Sequence, residues 1–175
     1  KGFLYLVFVV VSMLGMMPSL YAQGRMERLL EKGWRFTRAD DPAYKEVSCP
    51  DADWQSVTVP HDWAIYGPFS AQNDKQEVAI AQDGQTEAME HAGRTGGSPF
   101  VGVGWYRIQF EIPEFTTGKR ATLLFDGAMS HARVYVNGAE VGYWPYGYNS
   151  FHFDITRYVR PNQKNTLAVR LENLP

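Results

Sequence analysis

Apolar and polar residues alternate along much of the second half of the chain, with the period of two that is typical of a half-buried β-strand. The clearest run is HARVYVNGAEVGY, residues 131–143, in which small and β-branched side chains alternate with charged or aromatic ones. Asn137 and Gly138 interrupt this run, and an Asn-Gly pair suits the two positive φ angles of a type I′ turn. The segment therefore predicts a β-hairpin.

Several further segments have strand character, whereas helical periodicity is weak. Strands are predicted over residues 105–112, 121–125 and 166–171, and with weaker signals over residues 34–37 and 56–59. Residues 25–36 could open with a helical turn, but Gly33 would end it early. A strand that ends near Asp154 leads into one predicted helical turn with that residue as N-cap. Short strands separated by turns, without a β-α-β rhythm, predict an all-β fold, an antiparallel β-sandwich.

The stretch that follows the strand at residues 56–59 is different. Pro60 closes that strand because proline has no backbone N–H to donate. Residues 64–103 then show no regular pattern, apart from a predicted helical turn over residues 87–91. Loops longer than about 12–15 residues are uncommon in compact domains unless they are functional or disordered. We interpret residues 64–103 as one long loop that forms a functional arm of the sandwich.

The first residues have the layout of a secretory signal peptide. Lys1 precedes an apolar run over residues 3–17, and small residues just before Gln23 offer a cleavage point. The run is shorter than the about 20 apolar residues of a membrane span, although an uncleaved N-terminal anchor is an alternative. We predict a signal peptide over residues 1–22, export to the periplasm or the extracellular space, and one mature domain over residues 23–175.

Composition and charge exclude several classes of function. The net charge is -2 without a basic cluster, which argues against binding to nucleic acid or to an anionic membrane surface. The single cysteine, Cys49, cannot form an intramolecular disulfide, so the exported domain must depend on its core. The four histidines are far apart in sequence, and neither a metal site nor a cofactor is predicted. The sequence contains no G-x-S-x-G motif, so a serine hydrolase is not indicated.

Carboxylates and aromatic side chains are the remaining candidates for chemistry. Glu77, Glu87 and Glu90 lie in the arm, and we interpret them as solvated charges rather than as a catalytic pair. Rings with a polar tip suit the C–H faces of sugars, but Trp and Tyr are also common at the rim of a core. Both interpretations are open for the aromatic residues near predicted strand ends and turns, which are Trp63, Trp105, Tyr106, Trp144, Tyr146 and Tyr148.

Four motifs in order give the sequence a family resemblance. They are W…VTVPHDWAI, GVGWYRIQFEIP, LLFDGAMSHARVYVNGAEVGYWPYGYNSFHFDIT and NTLAVRLEN. Together they resemble the N-terminal domain of glycoside hydrolase family 2, and most closely its β-galactosidase branch. The resemblance covers about residues 29–175. Each motif alone is weak, but their order and spacing are specific for the family and less so for the substrate.

The resemblance implies a jelly-roll β-sandwich, the sugar-binding domain of a retaining β-glycosidase. In the family an immunoglobulin-like domain and a TIM barrel follow, and the barrel supplies two catalytic glutamates, one of them after an Asn. No Asn-Glu dipeptide occurs in this chain, which implies a fragment of a larger enzyme with a carbohydrate substrate. The alternatives are a free-standing, lectin-like sugar-binding domain, or the same domain of a β-glucuronidase or a β-mannosidase.

The resemblance also implies a role for His61, Asp62 and Trp63, because loops of the family's sandwich reach the mouth of the barrel. In this interpretation Asp62 accepts hydrogen bonds from sugar hydroxyls, Trp63 stacks on the sugar or walls the pocket, and His61 orients Asp62. The alternative is that Asp62 caps a turn after Pro60 and that Trp63 fills the edge of the sandwich. Packing is the preferred interpretation for Trp63 and Trp105.

Overall fold

The computed structural model describes residues 24–93, 97, 99–115 and 118–173, and the predicted signal peptide lies outside them. Two short 3-10 helices, Pro42–Lys45 and Ala81–Asp83, accompany the strands. No helix in the described part of the chain is long and apolar enough to cross a bilayer. The strands are β1 (Trp34–Thr37), β2 (Gln55–Val57), β3 (Gln76–Val78), β4 (Met89–His91), β5 (Gly102–Glu111), β6 (Thr122–Phe125), β7 (Ala132–Val136), β8 (Ala139–Trp144), β9 (Phe151–Asp154) and β10 (Lys164–Asn173).

Six of these strands form one antiparallel sheet in the order β2-β1-β5-β10-β7-β8. The long strands β5 and β10 are its central pair and run side by side over 10 residues each. β7 and β8 are joined by the predicted turn, in which Asn137 and Gly138 have φ values of 52° and 86°. The hairpin predicted from the alternating pattern is therefore confirmed.

The second layer of the sandwich is built around β6 and β9, which pair with each other. Phe151 of β9 and Ile155, just after it, belong to one buried cluster with residues of the large sheet such as Ile108, Leu167 and Val134. Each large apolar side chain that is fully buried in this way contributes about 1.5–3 kcal/mol relative to exposure. The predicted all-β, antiparallel sandwich of the jelly-roll type is confirmed.

Residues 39–54 cover the other face of the large sheet. Tyr44 packs edge-on against Trp105 of β5, with ring centroids 5.8 Å apart. The neighbouring Arg107 is 2% exposed, and its Nε donates to Oδ2 of Asp51 at 2.9 Å. Because a buried guanidinium is costly without its partner, this ion pair ties the covering segment to β5. Trp105 is thus a packing residue, as preferred from the sequence.

The arm has more regular structure than its sequence predicts. β3 and β4 pair as an antiparallel hairpin, so the helical turn predicted over residues 87–91 is wrong. Three residues of sequence cannot distinguish a short strand from a helical turn, and here the pairing with β3 decides. Glu77, Glu87 and Glu90 are exposed, as predicted, and Glu90 forms an ion pair of 2.7 Å with Lys75.

Candidate functional site

The three predicted site residues lie in a turn that follows β2. The chain leaves the sheet after Val59, whose N–H donates to the carbonyl oxygen of Glu31 at 2.9 Å. Oδ1 of Asp62 then accepts hydrogen bonds from the N–H groups of Ala64 at 3.0 Å and Ile65 at 3.3 Å. Asp62 thus caps the turn, as one of the two interpretations proposed. The residue is also exposed, and its contact with a sugar stays a prediction.

Trp63 turns inward and fastens the turn to the sheet. Its side chain is 5% exposed and packs edge-on against Phe36, with ring centroids 5.5 Å apart, and against Phe100 at 5.9 Å. The indole also lies directly over Gly104 of β5. This burial fits the packing role preferred for Trp63 from the sequence, and a contact of this ring with a sugar stays a prediction.

His61 also points inward, and this corrects one expectation. Its Nδ1 is hydrogen-bonded to the hydroxyl of Tyr106 at 2.8 Å, and its ring packs on Phe36 at 4.9 Å. Asp62 turns instead toward the backbone of its own turn, so His61 does not orient it through a hydrogen bond among the described residues. Partial burial lowers the pKa of His61, while the Asp62 carboxylate opposes that shift. Burial also raises the pKa of Tyr106, so this hydroxyl keeps its proton.

A cavity of about 280 Å³ lies beside the turn, next to the edge strand β2. Val57 and Trp63 form its apolar walls, and Tyr66 stacks over His61 with ring centroids 6.3 Å apart. No group of three or more His, Cys, Asp or Glu side chains in the described residues is placed to hold a metal ion. The polar lining consists of Arg38, Gln55, Ser56, Thr58, His61 and Tyr66. These groups offer hydrogen bonds to a small polar ligand.

Two residues that shape this site, Arg38 and Gly104, were missed from the sequence, whereas Tyr106 was among the aromatic candidates. Arg38 follows β1, and its Nη2 donates to the carbonyl oxygen of Trp63 at 2.8 Å. No motif around Arg38 signals this contact, because it joins two segments that only the fold brings together. Tyr106 and Gly104 lie within GVGWYR, and a glycine beside aromatic residues in a strand is a signal for close packing.

Apart from Tyr106, whose hydroxyl is hydrogen-bonded to His61, the other aromatic candidates do not join this site. Trp105 and Tyr106 are buried inside β5 rather than placed at a strand end. Tyr146 and Tyr148 are exposed after β8, which is the edge of the large sheet opposite to β2. Trp144 stacks on Phe151 with ring centroids 5.6 Å apart. The structure therefore divides the predicted aromatic set into core residues and an exposed group far from the cavity.

Comparisons with known proteins match this architecture. Residues 27–174 match the family model described as glycosyl hydrolases family 2, sugar binding domain. Beta-galactosidase BoGH2A from Bacteroides ovatus is 36% identical over 140 residues, which are 80% of this chain and 14% of that protein. A putative beta-glucuronidase from Formosa agariphila is 32% identical over 149 residues, 85% of this chain and 13% of that protein.

Solved structures agree with the sequence comparisons. A glycosyl hydrolase family 2 member from Bacteroides cellulosilyticus superposes with a TM-score of 0.66 at 33% identity, over 83% of this chain and 17% of that one. The chain thus spans about one seventh of the length of the curated relatives, 14% and 13% in the two cases above. It belongs to glycoside hydrolase family 2 and is the N-terminal sugar-binding domain of that family.

Proposed function

We propose that this domain is part of an exported, retaining β-galactosidase that removes galactosyl units from the non-reducing ends of glycans. The 36% identity to a protein named as a beta-galactosidase supports this substrate. The signal-like residues 1–22 support export. In this proposal the partners are an immunoglobulin-like domain and a TIM barrel of the same chain. The barrel supplies the two catalytic glutamates, and the sandwich completes the substrate pocket.

The observation that carries the proposal is the anchored, exposed carboxylate of Asp62 beside the cavity. Two backbone N–H groups bind its Oδ1, while the buried ring of Trp63 holds the turn against the sheet. A binding group is most effective when a rigid scaffold positions it before the ligand arrives. Hydrogen bonds from sugar hydroxyls to this carboxylate are charge-assisted and therefore strong. Asp62 thus contacts the substrate, while His61 and Trp63 support the turn from below.

The test is the substrate preference of the complete enzyme. We expect kcat/KM for a nitrophenyl β-galactoside to exceed that for the β-glucuronide and the β-mannoside by about tenfold or more. A second candidate is a β-glucuronidase, which the 32% identity to a protein named as a putative beta-glucuronidase favours. A preference for the β-glucuronide would replace the first proposal by the second, and a preference for the β-mannoside would contradict both.

The lectin-like alternative makes a different prediction for the domain alone. If the pocket needs the barrel, this chain by itself should bind galactose or lactose only weakly. A dissociation constant below about 100 µM, or about −5.5 kcal/mol, would show a self-sufficient binding site. Isothermal titration calorimetry with the 175-residue chain measures this directly.

A further inference from the structure

We propose that the cavity beside β2 binds the carboxylate of an acidic sugar, with Arg38 as the group that recognises it. The inference rests on the proposed function only in taking the ligand to be a carbohydrate. The site would select glycans that carry a uronic acid residue, in addition to the sugar that is cleaved.

Arg38 is a cation that its neighbours hold in place at the cavity. The residue is half-buried and lines the cavity. Its guanidinium is held from two sides, by the carbonyl oxygen of Trp63 at 2.8 Å and by the ring of Phe100, whose centroid lies 4.9 Å from Cζ. Neither contact neutralises its charge, and no Asp or Glu in the described residues lies within ion-pair distance of it. Arg38 is therefore a positioned cation that lacks an anionic partner among these residues.

Two arginines of the large sheet with mostly buried side chains each have a carboxylate partner, whereas half-buried Arg35 on β1 donates to the carbonyl oxygen of Trp54. Arg107 pairs with Asp51 at 2.9 Å, and Arg170 pairs with Asp40 at 2.7 Å. A guanidinium presents its donors in a fork that fits the two oxygens of a carboxylate. The same fork at Arg38 opens beside a cavity, where a ligand can supply those oxygens.

The remaining lining groups fit a sugar better than a bare anion. Ser56, Thr58 and Gln55 carry neutral polar groups that match ring hydroxyls, and the exposed ring of Tyr66 offers apolar surface for C–H groups. The volume of about 280 Å³ lies just below the range of about 300–1,000 Å³ for typical ligand pockets.

One acidic residue stands close to the cavity and acts against an anion there. Asp62 neighbours His61 in sequence, but it is not among the lining residues. Its Oδ1 accepts hydrogen bonds from the N–H groups of Ala64 and Ile65. These bonds hold the Asp62 carboxylate in its position in the turn. The cation that lines the cavity is Arg38, and the local balance therefore favours a carboxylate at that end.

The experiment compares two sugars that differ only at C6. Methyl β-D-galacturonide and methyl β-D-galactoside are titrated into the ¹⁵N-labelled 175-residue chain, and NMR follows the backbone amides near Arg38 and Thr58 and the indole N–H of Trp63. We expect the galacturonide to bind about tenfold or more tightly, as a charge-assisted pair predicts, with shifts confined to the cavity. Equal affinities, or shifts centred elsewhere, would overturn the proposal without any need for a variant.

Two variants assign the effect to Arg38. Arg38→Gln should raise the dissociation constant of the galacturonide to that of the galactoside. The matched control is Arg35→Gln, since Arg35 lies on β1, donates to the carbonyl oxygen of Trp54 at 3.4 Å and does not line the cavity. A galacturonide preference that survives in folded Arg38→Gln would refute the assignment.

Two further measurements distinguish binding of the acidic sugar from binding of any carboxylate, and from the proposed hydrolysis. Sodium acetate at the same concentration should give much smaller shifts, and equal shifts would mean that any carboxylate binds and that the sugar plays no part. The proposed β-galactosidase activity is tested separately by hydrolysis with the complete enzyme. A failure there leaves the galacturonide contrast measurable, and a missing contrast leaves the hydrolysis result intact.

Discussion

The indole of Trp63 lies so close to Gly104 that a Cβ atom on residue 104 would sit 2.5 Å from Cζ3 of the ring. Trp63 belongs to the turn after β2, whereas Gly104 belongs to β5, one of the two central strands of the large sheet. This contact fastens the turn, and with it Asp62, to the most extensively paired part of the fold. The site therefore depends on a residue that has no side chain.

Gly104→Ala should destabilise the domain. Neither the indole nor the strand can move away easily, because both are packed on other sides, so we expect a loss of about 1–3 kcal/mol in the free energy of unfolding. Urea denaturation measures it. The control is Gly97→Ala, because a Cβ there meets nothing within 4 Å, and its change should stay within about 0.5 kcal/mol. Equal midpoints for the two variants would contradict the packing described here.

Substitutions of Asp62 separate its two roles. Asp62→Ala removes the cap of the turn, which costs about 1 kcal/mol of stability. If Asp62 also binds sugar hydroxyls, the lost bonds are worth about 1.5–3 kcal/mol, or a fall of roughly 10- to 150-fold in kcat/KM of the complete enzyme. Asp62→Asn keeps the capping oxygen and should show an intermediate fall in kcat/KM with little change in stability. Wild-type kinetics in both variants would leave Asp62 with the capping role alone.

The pH dependence of stability should report on His61. Burial lowers the pKa of His61 below its ordinary value of 6.5, so the unfolded chain takes up a proton at a pH where the folded chain does not. Stability is then complete above that ordinary value and declines as the pH falls through it. His61→Gln can keep the hydrogen bond to Tyr106 but cannot titrate, and its stability should fall less between about pH 7 and pH 5. Parallel curves for parent and variant would be inconsistent with this account.

The described part of the arm should exchange its amide protons rapidly. Every residue from 75 to 93 is exposed or only partly buried, and an isolated two-stranded hairpin is marginal in water. Its local opening therefore costs little free energy. We expect fast hydrogen exchange at Gln76–Val78 and Met89–His91, and slow exchange at Ala132–Val136, measured by mass spectrometry or NMR. Uniform protection across these segments would show that the hairpin packs firmly on the sandwich.

The 175-residue chain alone should hydrolyse no glycoside. A retaining mechanism needs an acid and a nucleophile about 5–5.5 Å apart, and the glutamates of the arm are exposed side chains on a small hairpin. The assay compares the pure chain with a tagged blank on a nitrophenyl β-galactoside. Turnover above the blank would mean that the domain holds a catalytic pair of its own.

Local sequence patterns determined strands β7 and β8 and the turn that joins them. Alternation over residues 131–143 predicts two strands because successive side chains point to opposite faces. Asn137-Gly138 predicts the turn because these residues tolerate positive φ. Boundaries were less certain: β5 begins at Gly102, whereas its strand was predicted from residue 105. Pairing with β10 extends it, and pairing is not encoded within the strand itself.

Only the tertiary structure decided in which direction the side chains of the predicted site residues point. PHDW places three side chains together in sequence, yet Asp62 caps its own turn, His61 meets Tyr106 and Trp63 covers Gly104. Partners 45 and 41 positions away in the chain cannot be inferred from a four-residue stretch. The same holds for Arg38, which reaches the carbonyl oxygen of Trp63 because the turn after β2 packs over Gly104 of β5, next to the end of β1. The sequence alone determined which residue types are available, and the packing of distant strands decided which of them line the cavity.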